Sequence, residues 1–222
     1  MKTAPPKMTA TIAAVTVASF ALLTAIGKLD AAAAVGGFIP ARLSGLTVIG
    51  ALPIWLTPLS ATLLHGGAIH IGFNLLMLFY CGREDEVAIG PAGVITLYVL
   101  GAYAAAAAQY IAGPHSPVPM IGASGAISGV LGAYIVLFPH SRVLTIVPII
   151  FFIQLLEVPA VVLLGLWFLM QLLSGVGSLG ERADVGGVAF WAHVAGFVAG
   201  LGLVYVFKQQ ERQKVEWWDG VR

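Results

Sequence analysis

Charged side chains are missing from five long stretches of this chain: between Lys7 and Lys28, Arg42 and Arg83, Glu86 and Arg142, Glu157 and Glu181, and Asp184 and Lys208. A helix needs about 20 apolar residues to cross the hydrocarbon core of a bilayer, and each gap is long enough for one crossing. The gap after Glu86 is long enough for two, and Gly113-Pro114-His115-Ser116-Pro117-Val118-Pro119 divides it with a run that resists helix formation. Six spans are predicted, near residues 8–28, 63–82, 88–112, 122–139, 157–177 and 187–207. The expected fold class is all-α: a polytopic, six-transmembrane-helix bundle filling residues 1–222 as a single membrane domain. Composition excludes a soluble globule, because 59% of residues are hydrophobic and 9% are charged, against roughly 25% charged in soluble domains. A net charge of +1 and a single cysteine, Cys81, exclude a nucleic-acid-binding surface and a disulfide scaffold.

Two apolar stretches stand outside the six spans. Residues 43–62 are broken by Pro53 and Pro58 and carry Trp55, and read as a loop lying in the membrane interface. Residues 143–156 are too short to cross alone and read as an extension of the fifth span, or a segment beside it, bent at Pro148 and Pro159. Orientation follows from Lys and Arg in alternate loops: eight (Lys2, Lys7, Arg83, Arg142, Lys208, Arg212, Lys214, Arg222) fall on the side of the N-terminus and three (Lys28, Arg42, Arg182) on the other. Both termini are therefore expected in the cytoplasm, in a multi-pass protein of the cell (inner) membrane. The first span reads as an anchor rather than a cleaved signal peptide, and no soluble domain is expected at either end.

An ionisable or strongly polar side chain costs several kcal/mol in hydrocarbon unless it finds a partner. His65, His70 and His193 lie in or at the edge of predicted spans, together with Asn74, Ser124 and Ser128. His70 and Asn74 are four apart and share one helix face; on a helix His65 would face another surface, where its loss would act mainly on stability. Interhelical hydrogen bonding alone also accounts for such a pair. Ser124 sits in Gly122-Ala123-Ser124-Gly125, with Ser128 and Gly129 following. Small neighbours expose its hydroxyl, and first-turn N–H groups of a helix are free to bind an oxyanion. Gly125 and Gly129 equally fit plain small-xxx-small helix packing. His193 precedes Gly196 and Gly200, a strip that lets a partner helix come close. Counted along the spans at roughly 1.5 Å per residue, Ser124, His193, His70 and Asn74 share the outer half of the bilayer.

A serine needs a base, and a neutral histidine is the usual one. Asparagine and histidine N–H groups can serve an oxyanion. No carboxylate lies at that depth, so the implied form is a Ser-His dyad without a third member. Zinc held by three histidines is the competing chemistry, although no His-Glu-x-x-His pattern accompanies them.

In these motifs, taken in order, the sequence resembles the rhomboid family of intramembrane serine proteases: His65-x-x-x-x-His70-x-x-x-Asn74, Gly122-Ala123-Ser124-Gly125, and Ala192-His193-x-x-Gly196-x-x-x-Gly200. The resemblance implies a Ser124 nucleophile, a His193 base, and an oxyanion hole from His70, Asn74 and the Ser124 N–H, with Gly122 shaping the turn. It implies hydrolysis of peptide bonds in or near transmembrane helices of other membrane proteins, with no cofactor, metal or nucleic acid. It further implies that substrates enter past the fifth span beneath a lid, here residues 175–188. Two positions depart from the family pattern: Trp55-Leu56 stands near a usual Trp-Arg pair, and Ser128 stands where many relatives place a ring against the histidine. The alternative reading is a non-catalytic member that binds transmembrane helices, or a small transporter.

Overall fold

A computed structural model describes residues 6–149, 152–178 and 189–219, with side chains throughout except at 146–149, 152–153 and 208–219. It is a mostly helical bundle. By length and composition, four helices among the described residues can cross a membrane: Lys7–Ala25, Ala68–Ala112, Ala160–Gly177 and Phe190–Phe207.

Helix α1 (Lys7–Ala25) buries a single stripe, Thr9, Ile12, Ala13 and Thr16, at the 3–4 spacing of one helix face. Its N-terminus has no cap of its own. The Glu86 carboxylate supplies one, accepting the Met8 N–H at 2.8 Å, the Thr9 N–H at 2.7 Å and the Thr9 hydroxyl at 2.7 Å. An anion is favoured where helix N–H groups point outward, and this contact ties the start of α1 to a residue 77 positions away.

A short helix, α2 (Leu29–Gly36), leads to a 3-10 turn at Pro40–Arg42. Residues 43–53 carry no helix, in keeping with an interfacial loop. The rest of that stretch winds into short helical turns around α3 (Thr57–Ser60), flanked by Ile54–Leu56 and Ala61–Leu63. There Trp55 is 65% exposed, and its carbonyl accepts the Tyr103 hydroxyl at 2.9 Å. That bond ties the segment to Tyr103, 48 positions further along the chain.

The second predicted span starts at residue 63, whereas α4 runs Ala68–Met77, because the chain bends at Gly66 and Gly67, the latter fully extended (φ 168°, ψ 170°). A π-helical turn, Leu78–Gly82, carries α4 into α5 (Arg83–Ala112). Helical geometry fails once inside α5, at Gly90 (φ 77°, ψ 169°) before Pro91. Positive φ is open to glycine, and proline suits the first position of a new helix.

Helix α6 (Ser124–Leu137) is the core element, buried continuously from Gly125 to Tyr134 between α5 and α8 (Phe190–Asp219). Glycines make that possible. A Cβ on Gly196 would collide with the Gly125 carbonyl, one on Gly200 with the Gly129 carbonyl, and one on Gly132 with the Phe197 carbonyl. These backbones touch directly, the packing that small residues permit in membranes. Past residue 207, where the sixth predicted span ended, α8 continues to Asp219 through strong helix formers.

The all-α expectation needs one correction. Two antiparallel strands, β1 (Arg142–Ile149) and β2 (Phe152–Pro159), pair Leu144 with Glu157 and Pro148 with Ile153. The fifth helix, α7 (Ala160–Gly177), therefore starts three residues later than the predicted 157. Val, Ile, Thr and Phe are strand formers, and a short apolar run does not by its periodicity tell helix from strand. Proline fits here because each strand of a two-stranded sheet has a free edge.

Candidate active site

The turn that delivers Ser124 is built around Gly122. Its φ is +111°, and a Cβ there would lie 2.6 Å from His70 Nε2. The turn is clamped by three contacts: Met120 pairs with Phe38, the Gly122 N–H donates to the Ala61 carbonyl at 2.9 Å, and the Ala123 N–H donates to His65 Nε2 at 3.4 Å. Ser124 then opens α6 with no side chain capping the helix. The first-turn N–H groups of Ser124 and Gly125 thus have no intrahelical acceptor.

His193 comes from the start of α8, where the crossing of Gly196 against Gly125 brings the two helices together. Its Nε2 lies 2.7 Å from Ser124 Oγ, and the residue is 9% exposed. Ser128, one turn after Ser124, turns its hydroxyl onto the Ser124 carbonyl at 2.7 Å.

Helix α4 and the bend before it contribute the remaining polar groups. The Gly66 N–H approaches His70 Nδ1 at 3.5 Å, which leaves Nε2 as the proton carrier facing Gly122. Asn74 donates from Nδ2 to the His70 carbonyl at 2.8 Å, while its buried Oδ1 has no partner. A carboxamide has two N–H protons, so one is uncommitted. Ser124, His193, His70 and Asn74 all line one cavity of about 1190 Å³. Its other walls are largely apolar, with Phe73 and Met77 from α4 opposite Leu166 and Met170 from α7, and no Asp, Glu, Lys or Arg among the described residues lining it.

Three residues have a place at the site that the sequence did not reveal. His65 lies before α4 begins, so the helical-wheel argument that turned it away does not apply. Its ring meets that of His70 edge to face at 5.0 Å, and it supports the residue preceding Ser124. Trp167 on α7 brings its ring to 5.9 Å from the His193 ring, tilted by 36°. The aromatic support missing at Ser128 thus arrives from another helix. Gln171, one turn further along α7, places Oε1 2.8 Å from His193 Nδ1. Extending the rule on intramembrane polar groups from His and Asn to every carboxamide would have flagged it. The predicted lid, residues 175–188, falls from 179 onward outside the described residues, as do residues 187 and 188 of the sixth predicted span.

Among the described residues no three His, Cys, Asp or Glu side chains converge as a metal site would require. What the site holds is a serine hydroxyl on an imidazole, with N–H donors beside it, inside a helical membrane bundle. The chain belongs to the rhomboid family: the Rhomboid domain matches residues 54–210. It is 29% identical over 155 residues to Rhomboid protein 1, mitochondrial, of Saccharomyces cerevisiae, covering 65% of this chain and 40% of that protein. It is 35% identical over 79 residues to Rhomboid protease GluP of Bacillus subtilis, covering 36% of this chain and 15% of that protein. The match thus spans less than half the length of either relative.

Proposed function

We propose that this chain is an intramembrane serine protease that hydrolyses peptide bonds in or near transmembrane helices of other membrane proteins. The observation that carries the reading is the 2.7 Å contact between Ser124 Oγ and His193 Nε2 on a cavity inside the bundle. His193 takes the hydroxyl proton as Oγ attacks the scissile carbonyl carbon. The tetrahedral oxyanion is held by the Ser124 N–H, the free Asn74 N–H and His70 Nε2–H, with Gly122 shaping the turn that presents them. His193 then gives the proton to the leaving amine, and water repeats the cycle on the acyl-enzyme, with His193 again as base. No cofactor is needed for these steps.

Six crossings, with both termini in the cytoplasm of a cell (inner) membrane, complete the proposal. Dividing Ala68–Ala112 at Gly90 makes two crossings of that stretch. Helix α6, with 14 residues, is about 21 Å long at 1.5 Å per residue, short for a bilayer but shielded by α5 and α8. The site then lies in the outer half of the membrane. The partners are the lipid bilayer and single transmembrane helices, which reach the cavity between α4 and α7, where Phe73 and Met170 are 64% and 58% exposed.

The test is reconstitution in liposomes with a tagged transmembrane substrate and a fluorophosphonate probe. The expected result is substrate cleavage with the probe attached to Ser124, mapped by mass spectrometry. A folded protein that neither cleaves nor takes the label at Ser124 would instead be a non-catalytic helix-binding member.

A further inference from the structure

Among the described residues a single side chain contacts the far nitrogen of the His193 ring, and it comes from α7 rather than from the helices that carry the serine and the histidine. Gln171 Oε1 sits 2.8 Å from His193 Nδ1, while His193 Nε2 sits 2.7 Å from Ser124 Oγ. We propose that Gln171 is a positioning residue that holds His193 in the one tautomer able to act as a base. The inference rests on the protease reading above and adds a third member to its dyad.

A carboxamide oxygen only accepts hydrogen bonds. Facing Nδ1, it requires the imidazole proton to sit there, which leaves the lone pair on Nε2 directed at the Ser124 hydroxyl. In the other tautomer Nε2 carries the proton and donates to Oγ, and the pair cannot start the reaction. In serine hydrolases with a triad, a carboxylate performs this orienting task and also stabilises the imidazolium. An amide performs the first part without a charge, which suits a cavity inside a membrane, where an ionised side chain is costly.

The contact is not a chance reach of a flexible side chain. Trp167 lies four residues before Gln171, on the same face of α7, and its ring covers that of His193 at 5.9 Å and that of Phe197 at 6.0 Å. One turn beyond Gln171, the Gly175 carbonyl accepts the Trp191 indole N–H at 3.1 Å, fixing α7 to the start of α8. Gln171 is thus bracketed by two contacts on the same helix pair, while Leu166, Met170 and Leu173, which line the open cavity on the adjoining face of α7, are more than half exposed. The groups that face His193 are Ser124 from α6, Gln171 and Trp167 from α7, and across the cavity His70 from α4. With no carboxylate lining that cavity among the described residues, Gln171 is the available acceptor for Nδ1–H.

The experiment compares wild type, Gln171→Leu and Gln171→Glu in liposomes, reading kcat and KM on a transmembrane substrate, the rate of fluorophosphonate labelling, and the pH profile. Gln171→Leu removes the acceptor, so kcat and the labelling rate should fall about 10- to 100-fold, with KM within about twofold of wild type. Gln171→Glu restores an acceptor and adds a negative charge beside the ring, so activity should return and its acid limb should move to higher pH by about one unit or more. A merely structural role would lower thermal stability without slowing labelling at constant KM. The proposal is overturned if Gln171→Leu labels and cleaves like wild type, or if Gln171→Glu is as impaired as Gln171→Leu with its acid limb unmoved. Should Gln171→Leu show no cooperative unfolding transition, Gln171→Glu alone decides. Wild type that fails to label at Ser124 removes the protease reading and this inference together, whereas labelled wild type with indifferent variants removes only the inference.

Discussion

At Gly122 the backbone sits at φ +111°, and the space a side chain would take is filled by the ring of His70. Turn and His70 ring are therefore interlocked, and Ser124 emerges from them already facing His193. If the hydroxyl and the imidazole act in one step, Ser124→Ala and His193→Ala should each abolish cleavage in a folded protein, and the double variant should be no slower than either single one. His70→Ala and Asn74→Ala should each lower kcat by roughly 10- to 1000-fold with a smaller effect on KM, as expected for loss of one oxyanion donor; steady-state kinetics separates the two. These residues were legible in the sequence because a serine, a histidine or an asparagine stands out in an apolar span. His65 is not legible in this way, since a helical spacing turns it away from His70 whereas the helix begins only at Ala68. Gln171 went unread, because its role exists only once α7 is docked on α8, a contact that no local pattern encodes.

Among the elements, α6 and α8 carry the geometry, meeting backbone to backbone at Gly129 and Gly200 as well as at Gly125 and Gly196. Gly200→Leu must push these helices apart. Overpacking of this kind typically costs about 1–3 kcal/mol, sometimes more, and here it should reduce both thermal stability and fluorophosphonate labelling, although Gly200 is two turns from His193. Because hydrocarbon tolerates few charges, three of the four helices long and apolar enough to cross a membrane lie within charge-free gaps, while the fourth, Ala68–Ala112, runs through the charges at 83–86. The pairing of β1 with β2 is not legible in the sequence, since nothing in a short apolar run identifies its strand partner. Substrate elements obey the same physics. A helical peptide bond has its carbonyl hydrogen-bonded and its faces covered, so Ser124 reaches it only after local unwinding, which in lipid leaves backbone groups without partners. Cleavage should therefore fall near the external end of a substrate helix, with Gly or Pro just downstream. Replacing those residues with Leu should slow cleavage without preventing binding, as read by product mapping alongside co-purification with the Ser124→Ala variant.

At the scale of the whole molecule, the bundle has an inner part and an outer part. Helix α6 is enclosed, whereas only 17% of the most apolar 18 residues of α1 and of α7 are buried. A bilayer that is too thick or too thin is accommodated by tilting helices or deforming lipid, at a modest cost per Å, and helices with lipid on most sides tilt most easily. The carbonyl contacts between Gly125 and Gly196 and between Gly129 and Gly200 leave no side-chain layer in which α6 and α8 could slide. Lipids with longer or shorter acyl chains should consequently alter KM for transmembrane substrates severalfold while leaving the labelling rate of a small fluorophosphonate nearly constant. Parallel changes in both would mean that the centre deforms with its surroundings. Constancy of the second rate would make the glycine seam a mechanical reference point: membrane composition would then regulate which substrates arrive without retuning the chemistry they meet.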